Sequence, residues 1–364
     1  MQPFTYNQPA YRVIFGVGTF ARLREEIERL GVNRPLFIST PGRRQDAEQA
    51  AGSLAAMTAA VYAEAVMHVP IETLNAARAA AQRHEADSII AFGGGSAIDT
   101  SKAVGLELGV PVVAVPTTYG GSEVTPFYGY TEGDIKKGKR DRKMLPKSVI
   151  YDPALTVSLP ANVSGPSGMN AIAHCVEGLY ARDANPVMSL LATEGIRVLA
   201  RSLPIVVQEP ANRDARTDAF YGAWLAGMVL GSVGMAVHHN ISHVLGGTFR
   251  LSHADVHTVI LPHAVAFNHN AATEAIRTVA EALGVKDAAQ GLYDLATRIG
   301  APTSLKQLGM PEDQLDRAAK LVIEHPYPNP RPVEYAGIRQ LLENAYRGEL
   351  DLNSELSVQH RGRS

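Results

Sequence analysis

Short apolar runs alternate with longer segments of helical periodicity over the first 150 residues. The runs PLFIST (35–40), SIIAF (88–92) and VPVVAV (110–115) are continuous apolar stretches of the kind that form buried strands. Residues 71–83, which lie between two of them, have helical spacing and good helix formers. This alternation predicts a parallel sheet that is covered by helices.

The pattern changes near residue 150, where strand signals end and long apolar-periodic segments rich in Ala, Leu and Met begin. We therefore predict an α/β fold with three parts: a Rossmann-like parallel-sheet domain over residues 1–155, an all-α domain over 156–350 and a tail over 351–364. The last helix is expected to start near Pro332 and to stop at Gly348.

One segment, residues 219–237, contains no charged residue and is nearly long enough to span a bilayer. It holds four glycines and runs directly into His238 and His239. A buried helix that packs closely through its small residues is the favoured interpretation, and no membrane association is expected.

Composition narrows the class further, because 46% of the 364 residues are hydrophobic and the net charge is −2. Such a chain has no general attraction for nucleic acid or anionic membranes. A single cysteine, Cys175, excludes an intramolecular disulfide and fits a reducing cytoplasm. We interpret Cys175 as a small core thiol rather than a nucleophile. The first ten residues lack the pattern of a signal peptide.

The run FGGGSAIDTSK, residues 92–102, joins a predicted strand to a predicted helix through Gly93, Gly94 and Gly95. Glycine allows positive φ and lets a phosphate approach the main chain. Ser96 is placed to cap the helix and Asp99 to close a capping box, so that the helix N-terminus forms a pyrophosphate site. An ordinary glycine turn is the alternative.

A second loop, VPTTYGGSEVT (115–125), also follows a predicted buried strand and is dense in hydroxyl groups. Thr117, Thr118 and Ser122 are candidate donors to a phosphate or carboxamide, since ligands of α/β proteins bind at the carboxyl ends of strands. The alternative is a tight turn. The polar segment 133–147 reads as a solvated hairpin or loop, although Lys136 or Lys137 could reach a cofactor.

Histidines provide the third feature, because seven of the twelve lie from His238 to His269. Asn170 and His174 are four residues apart, as are His239 and His243, so each pair shares a helix face. His253 follows ten residues after His243. We interpret these residues as a site next to the nucleotide-binding domain rather than as separate core histidines.

The motifs GGGSAIDTSK, PTTYGGSEVT, GMNAIAHCVEG and HHNISHVLGG with SHADVHTVILPH resemble the iron-containing alcohol dehydrogenase superfamily, in consistent order from about residue 11 to 348. Within it, the shortened PTT loop, the segment YPNPRPVEYAGIRQLLENAYRG (327–348) and Asn170 resemble the maleylacetate reductase branch. The resemblance implies the dehydroquinate synthase-like fold of that superfamily, a homodimer and a role in the catabolism of resorcinol, hydroxyquinol or chloroaromatic compounds.

The metal-dependent members hold Fe²⁺ or Zn²⁺ with one aspartate and three histidines, at positions that match Asn170, His174, His239 and His253. An amide in place of the only anionic ligand makes tight Fe²⁺ binding doubtful, although three imidazoles still suit zinc. The resemblance therefore implies a reductase that needs no metal.

Reduction of a C=C bond conjugated to a ketone explains why a metal would be dispensable. Hydride addition at C2 of maleylacetate gives an enolate, which hydrogen-bond donors and one general acid can stabilise. We expect His243 to be the proton donor or its immediate partner, with Tyr327 as a further candidate. His174, His239, His253 and Asn170 are expected to bind the dicarboxylate substrate.

The resemblance also implies the cofactor-binding residues, which cluster at three strand ends and on the polar segment. They are Thr40, Pro41, Gly93, Gly94, Gly95, Ser96, Asp99, Thr117, Thr118, Ser122, Val124 and Lys137. The first strand ends in STPGRR without an acidic residue, and Arg43 and Arg44 are either acceptors of a 2′-phosphate or ordinary surface arginines. We predict that NADH is used and NADPH is also accepted.

Two other functions remain open at this point. The first is a metal-dependent alcohol or polyol dehydrogenase on the same scaffold. The second is a protein without net redox activity, such as a nucleotide-binding regulator or a synthase that uses NAD transiently.

Overall fold

The computed structural model describes residues 11–54, 57–133 and 135–351. Six strands form one parallel sheet in the order β1-β8-β5-β4-β2-β3, and two further strands form an antiparallel hairpin. The strands are β1 (Arg12–Phe15), β2 (Pro35–Ile38), β3 (Ala60–Tyr62), β4 (Ser88–Gly93), β5 (Val112–Pro116), β6 (Phe127–Glu132), β7 (Ile135–Arg140) and β8 (Ser148–Tyr151). The predicted parallel sheet is confirmed.

The three strands predicted from apolar runs are β2, β4 and β5, and every residue of each is buried. Complete burial explains why they read as continuous apolar runs, since strands of a parallel sheet are covered on both faces. The helices of this part are α1 (Leu23–Arg29), α2 (Arg44–Gly52), α3 (Ile71–Arg83) and α4 (Gly95–Leu108). The bounds of α3 are those predicted from its periodicity.

The neighbouring strands β4 and β5 bring the two glycine-rich loops to one edge of the sheet. Gly93 lies opposite Pro116 in the register, and the Thr117 N–H donates to the Gly93 carbonyl at 3.0 Å. Each loop leaves the carboxyl end of its strand, so both are presented on the side where α/β sheets bind ligands.

After β8 the described chain is helical, as predicted. Its helices are α5 (Ala161–Tyr180), α6 (Pro186–Gln208), α7 (Arg213–Ser232), α8 (Val237–Thr248), α9 (His253–Asn268), α10 (Thr273–Leu283), α11 (Ala288–Arg298), α12 (Leu315–Glu324) and α13 (Tyr335–Arg347). We call this part the helical domain and the part through β8 the sheet domain. Helix α5 is buried over most of its length and packs against α6, α7 and α9.

The uncharged segment 219–237 is not one helix, so that prediction is wrong. It covers the end of α7 and the first residue of α8, and the two helices meet at 96°. The bend is fixed by hydrogen bonds, because the Gly234 N–H donates to Asp183 and the Ala236 N–H donates to Glu177. No single helix among the described residues is long and apolar enough to cross a membrane, although the bent pair passes on length and composition.

The last helix begins at Tyr335, three residues after the predicted start at Pro332. It ends as predicted, since Gly348 caps it in the left-handed conformation with φ 74°. Residues 1–10 and, apart from Asp351, the predicted tail lie outside the described residues.

Candidate active site

The first glycine-rich loop has the shape of an anion cradle at the N-terminus of α4. Gly93 adopts φ 147°, and a Cβ on Gly94 would lie 2.9 Å from the Thr118 side chain. In contrast, no atom lies within 4 Å of the position a Cβ would take on Gly95, so this N-terminus faces open space. The exposed N–H groups of such a turn suit a phosphate.

The predicted capping box does not form. Helix α4 begins at Gly95, the N-cap position is Gly94, and no side chain caps the helix. Ser96 is therefore already inside the first turn. A glycine N-cap leaves the first N–H groups of the helix without an internal partner, which is the condition for binding an external anion.

Asp99 instead joins the two glycine-rich loops. Its carboxylate accepts hydrogen bonds from the Ser122 hydroxyl and from the Gly129 N–H at 3.2 Å, and it lies 3.3 Å from the buried Lys102 ammonium. Lys102 also donates to the Ser122 carbonyl and hydroxyl, both at 2.9 Å, and to the Thr125 hydroxyl. The sequence analysis missed Lys102, although its spacing from Asp99 on one helix turn could have identified it.

The second glycine-rich loop, residues 115–125, directly contacts the helical domain. The Tyr119 N–H donates to Ser167 at 3.0 Å. A Cβ on Gly121 would lie 2.9 Å from the Cα of Gly227 and 3.7 Å from Nδ1 of His174. The loop is thus in backbone contact with α7 and lies directly beside the first predicted active-site histidine.

The other predicted cofactor residues lie in three places. Thr40 and Pro41 follow β2, next to the buried Ser39 hydroxyl, which has no hydrogen-bond partner among the described residues and lies 4.0 Å from the Cβ position of Gly93. Val124 is buried against Gly227. Lys137 lies on the exposed β6–β7 hairpin and pairs with Glu132.

The two arginines after β2 are both engaged by protein groups. Arg43 donates to Asp46 at 2.9 Å and to Ser158 at 2.8 Å, and Arg44 pairs with Glu64. The hydrogen bonds of Arg43 use only Nη1, and those of Arg44 use Nη2, so each guanidinium keeps further N–H groups that could bind a 2′-phosphate.

The histidines predicted from helical spacing do lie together, in a cluster of six. The ring centroids of His174 and His239 are 5.0 Å apart, and those of His239 and His243 are 5.9 Å apart. The centroids of His243 and His253 are 6.2 Å apart. His257 packs against four of the rings, at distances from 4.2 Å for His253 to 6.2 Å for His243.

His257 and His238 were not predicted as site residues. His257 follows His253 by four residues on α9, so the same helical-spacing argument could have found it. Its buried ring has no hydrogen bond to any described residue on either nitrogen. His238 lies at the start of α8, where its Nε2 is 2.9 Å from the His257 carbonyl and its Nδ1 is 3.2 Å from Nδ1 of His239.

A buried carboxylate, Glu177, organises one side of the cluster. It accepts hydrogen bonds from the N–H groups of Ala236 and His238 and from Nδ1 of His239, each at 2.7 Å. Since Glu177 acts as the acceptor, the hydrogen of His239 is on Nδ1 and its ring lone pair is on Nε2. Burial raises the pKa of Glu177, and these donors oppose that rise.

Burial keeps the interior of the cluster uncharged near neutral pH. It lowers the pKa of His174 and of His257 well below the usual range, and that of His238 to about 4. Repulsion from the neighbouring imidazoles lowers all three further. His174, His238 and His257 are therefore neutral hydrogen-bonding groups near neutral pH.

Tyr327 lies against the cluster from the segment between α12 and α13. Its hydroxyl is 3.0 Å from Nδ1 of His243. Burial raises the pKa of Tyr327, and Glu177 raises it further, so the phenol stays protonated. The pair can therefore hold and deliver a proton.

The residues at the metal positions of the resembled family do not suit Fe²⁺. Asn170 is buried, and its Oδ1 has no hydrogen-bond partner among the described residues. The one anion beside the cluster, Glu177, has both oxygens occupied by the three hydrogen bonds above. The four positions therefore offer three imidazoles and an amide, none of which is an anionic ligand, whereas Fe²⁺ is held best with anionic oxygen donors.

One trio of described side chains, His238, His239 and His257, has candidate ligand atoms within 4.8 Å of one another. Two of its members are not at the family's ligand positions, and its nitrogens are partly engaged: His238 Nε2 with the His257 carbonyl and His239 Nδ1 with Glu177. Cys175 is a buried free thiol whose pKa is raised by burial, which agrees with its interpretation as a core residue.

Family models match the chain as "Iron-containing alcohol dehydrogenase" over residues 9–153 and as "Fe-containing alcohol dehydrogenase family, C-terminal" over 165–346. The chain is 49% identical to maleylacetate reductase of Burkholderia cepacia over 348 residues, which cover 96% of this chain and 99% of that one. It is 50% identical to maleylacetate reductase of Sphingobium indicum over 345 residues, covering 95% and 98%.

Among solved structures, the crystal structure of maleylacetate reductase from Agrobacterium tumefaciens superimposes with a TM-score of 0.91 at 45% identity. The match covers 96% of this chain and 99% of that one. The fold expected from the resemblance is confirmed. The chain belongs to the iron-containing alcohol dehydrogenase family and is an oxidoreductase.

Proposed function

We propose that this protein is a maleylacetate reductase, which reduces the C=C bond of maleylacetate to give 3-oxoadipate in the catabolism of aromatic compounds. The observation that carries the proposal is the buried histidine cluster, which Tyr327 contacts at His243 and the Gly121 loop contacts at His174. Relatives named maleylacetate reductase at 49–50% identity over nearly the whole chain support it.

The strand-end loops suit a dinucleotide cofactor. The open space at Gly95, the close contact of Gly94 with Thr118 and the partnerless Ser39 hydroxyl together leave a cradle lined by N–H and O–H donors. NADH, when bound, supplies the hydride for C2 of the substrate. We propose that NADPH is also accepted, and that Lys137 contributes less than the loop residues because it is exposed and paired with Glu132.

The electron pair that arrives at C2 leaves negative charge on C3 and on the C4 oxygen, and the protein must stabilise this enolate. Neutral imidazole N–H groups and the Asn170 amide are donors in a site shielded from water, where such hydrogen bonds are strongest. His174, His253 and Asn170 are the proposed donors to the ketone oxygen and to the two carboxylates. His239 lines the same site, but its N–H is used by Glu177 and its Nε2 carries a lone pair, so it is not one of these donors.

The proton for C3 is proposed to come from Tyr327 together with His243. The phenol is protonated at neutral pH and is 3.0 Å from the His243 nitrogen, so His243 can replace the proton that the phenol gives up. His239 is less suited to this step, since its Nδ1 hydrogen is held by Glu177.

We further propose that the reaction needs no metal. A Lewis acid is most useful for polarising an isolated carbonyl or stabilising an alkoxide. In the conjugated substrate the charge is spread over C3 and the C4 oxygen, and hydrogen-bond donors suffice. The neutral donor set at Asn170 supports this reading, although three imidazoles still suit Zn²⁺.

The test is to follow NADH oxidation at 340 nm with maleylacetate, and separately with primary alcohols or polyols plus NAD⁺. Turnover of maleylacetate with at most trace activity on the alcohols is expected. Preference for an alcohol would favour the metal-dependent dehydrogenase, and nucleotide binding without any turnover would favour a regulator. A cytoplasmic homodimer is part of the proposal, and sedimentation velocity checks the oligomeric state.

A further inference from the structure

The segment that carries Tyr327 has a proline at every second position. We call residues 325–334, between α12 and α13, the strap; its prolines are Pro326, Pro328, Pro330 and Pro332. Proline fixes its own φ and confines the preceding residue to extended conformations. The strap is therefore restricted in conformation before it makes any contact, and ordering it costs less conformational entropy than ordering a segment without proline.

The strap presents alternate residues to the helical domain. Tyr327, Asn329, Pro330 and Arg331 are half-buried, whereas Pro326, Pro328 and Pro332 are exposed. The three polar side chains of this segment are therefore the ones that contact the helical domain.

Asn329 makes the densest set of contacts of the three. It forms a reciprocal pair with Asn268 at the end of α9: the Asn268 amide donates to Asn329 at 3.0 Å, and the Asn329 amide donates back at 2.7 Å. Its amide also donates to the Arg331 carbonyl at 2.7 Å, and its oxygen accepts from the Val237 N–H at 3.4 Å. Asn268 is fully buried.

These partners tie the strap to α8 and α9, the two helices that supply five of the six histidines of the cluster. Asn268 ends α9, which carries His253 and His257, and Val237 begins α8, which carries His239 and His243. The next polar residue, Arg331, donates to the Phe267 carbonyl at 3.0 Å and stacks on its ring at 4.2 Å. The anchor is thus two residues from Tyr327 and fixed to the same helices as His243.

We propose that Asn329 is a positioning residue that sets the Tyr327 hydroxyl on His243, with the proline-alternating strap as its rigid arm. The Asn329 amide both donates and accepts hydrogen bonds here, so neither Asp, which lacks the N–H₂ group, nor Ala can make the same contacts. The inference rests on the proposed proton-donor role of Tyr327. It predicts that Asn329 affects turnover only through that phenol.

A kinetic double-mutant cycle tests this with maleylacetate and NADH, using wild type, Asn329→Ala, Tyr327→Phe and the double variant. Tyr327→Phe is expected to lower kcat about 100-fold, within the usual range for a general acid. Asn329→Ala should lower kcat about tenfold when Tyr327 is present and less than about twofold in the Tyr327→Phe background. KM for NADH should change less than about twofold.

Asn212→Ala is the matched control, because Asn212 caps α7 through a hydrogen bond to the Ala215 N–H, away from the cluster. It should lower the melting temperature and leave kcat within about twofold in both backgrounds. If Asn329→Ala does not fold, the isosteric Asn329→Asp takes its place in the cycle with the same expectation.

An equal loss of kcat from the Asn329 substitution in both backgrounds would overturn the positioning role and leave the proposed function intact. An unchanged kcat in Tyr327→Phe alone would instead overturn the proton-donor assignment on which the inference rests. The two failures are therefore distinguishable within one set of four proteins.

Discussion

Substitution of Asn170 by Asp tests what the amide does at the family's metal position. Asn170 is only 5% exposed, and its Oδ1 has no partner among the described residues. A carboxylate there would be desolvated without a hydrogen bond to compensate it, so its pKa would rise by about two to three units, within the range known for buried carboxyls. At 1.36 kcal/mol per unit, the cost at pH 8 is about 3–4 kcal/mol.

Asn185→Asp is the matched control. Asn185 is equally buried, at 6% exposure, but its Oδ1 accepts the Met188 N–H at the N-terminus of α6. A carboxylate is favourable at that position, so this variant should be as stable as wild type within about 0.5 kcal/mol. The comparison separates the chemistry of position 170 from the general effect of replacing a buried Asn by Asp.

The pH dependence has a definite sign. In Asn170→Asp the new carboxyl would have a pKa above its unfolded value, which is about 4. Its destabilising effect is therefore absent below about pH 4, grows as the pH rises to the folded-state pKa and is constant above that pKa. Urea unfolding of Asn170→Asp, relative to wild type, should therefore show about 2 kcal/mol less destabilisation at pH 5 than at pH 8.

Zinc provides the second half of this prediction. With chelator removed and Zn²⁺ at about 100 times its Kd, Asn170→Asp should recover about 2.7 kcal/mol of stability. Wild type should gain clearly less from the same concentration. The reasoning is refuted if Asn170→Asp is as stable as Asn185→Asp at pH 8, or if its cost is the same at both pH values.

Three further predictions follow from other contacts. Gly227→Ala places a Cβ 2.8 Å from the Gly121 carbonyl, so it should lower the free energy of unfolding by about 1–3 kcal/mol and raise KM for NADH. The control Gly52→Ala, at an exposed helix position, should stabilise the protein slightly. Thermal melts and the dependence of the rate on NADH concentration check both variants. Burial raises the pKa of Glu123 to about 7, so this group lowers stability as pH rises from about 4.5 to 7, and Glu123→Gln should flatten that part of the urea-midpoint profile. Glu177→Gln turns an amide N–H₂ group toward N–H donors that now bind a carboxylate oxygen, so it should lower the free energy of unfolding by about 2–4 kcal/mol. It should also lower kcat, because His239 would no longer be held with its hydrogen on Nδ1. An unchanged kcat would exclude this orienting role.

Much of the fold followed from periodicity alone. The strands β2, β4 and β5 and the helix α3 were predicted because a buried parallel strand and an amphipathic helix each leave a pattern in their own sequence. The bend between α7 and α8 left no such pattern. It depends on hydrogen bonds from Gly234 to Asp183 and from Ala236 to Glu177, both more than 50 residues away.

The candidate site shows the same division. The helical pairs Asn170/His174 and His239/His243 were visible as four-residue spacings, and the structure places His174, His239 and His243 in one cluster. Ser96 was predicted as a cap from its type and spacing, but glycine takes the N-cap position because the loop needs an open helix terminus. Asp99 instead accepts a hydrogen bond from Ser122 and pairs with Lys102. The contact with Ser122 is a tertiary one, which local spacing does not predict.

The central claim is that neutral side chains, without a metal, stabilise the enolate formed from maleylacetate. The most direct measurement combines elemental analysis of protein purified without chelator with NADH oxidation before and after exhaustive dialysis against EDTA. We expect clearly less than one iron or zinc ion per chain and an unchanged kcat after dialysis. About one iron or zinc ion per chain, with activity lost on its removal and restored on its return, would contradict it.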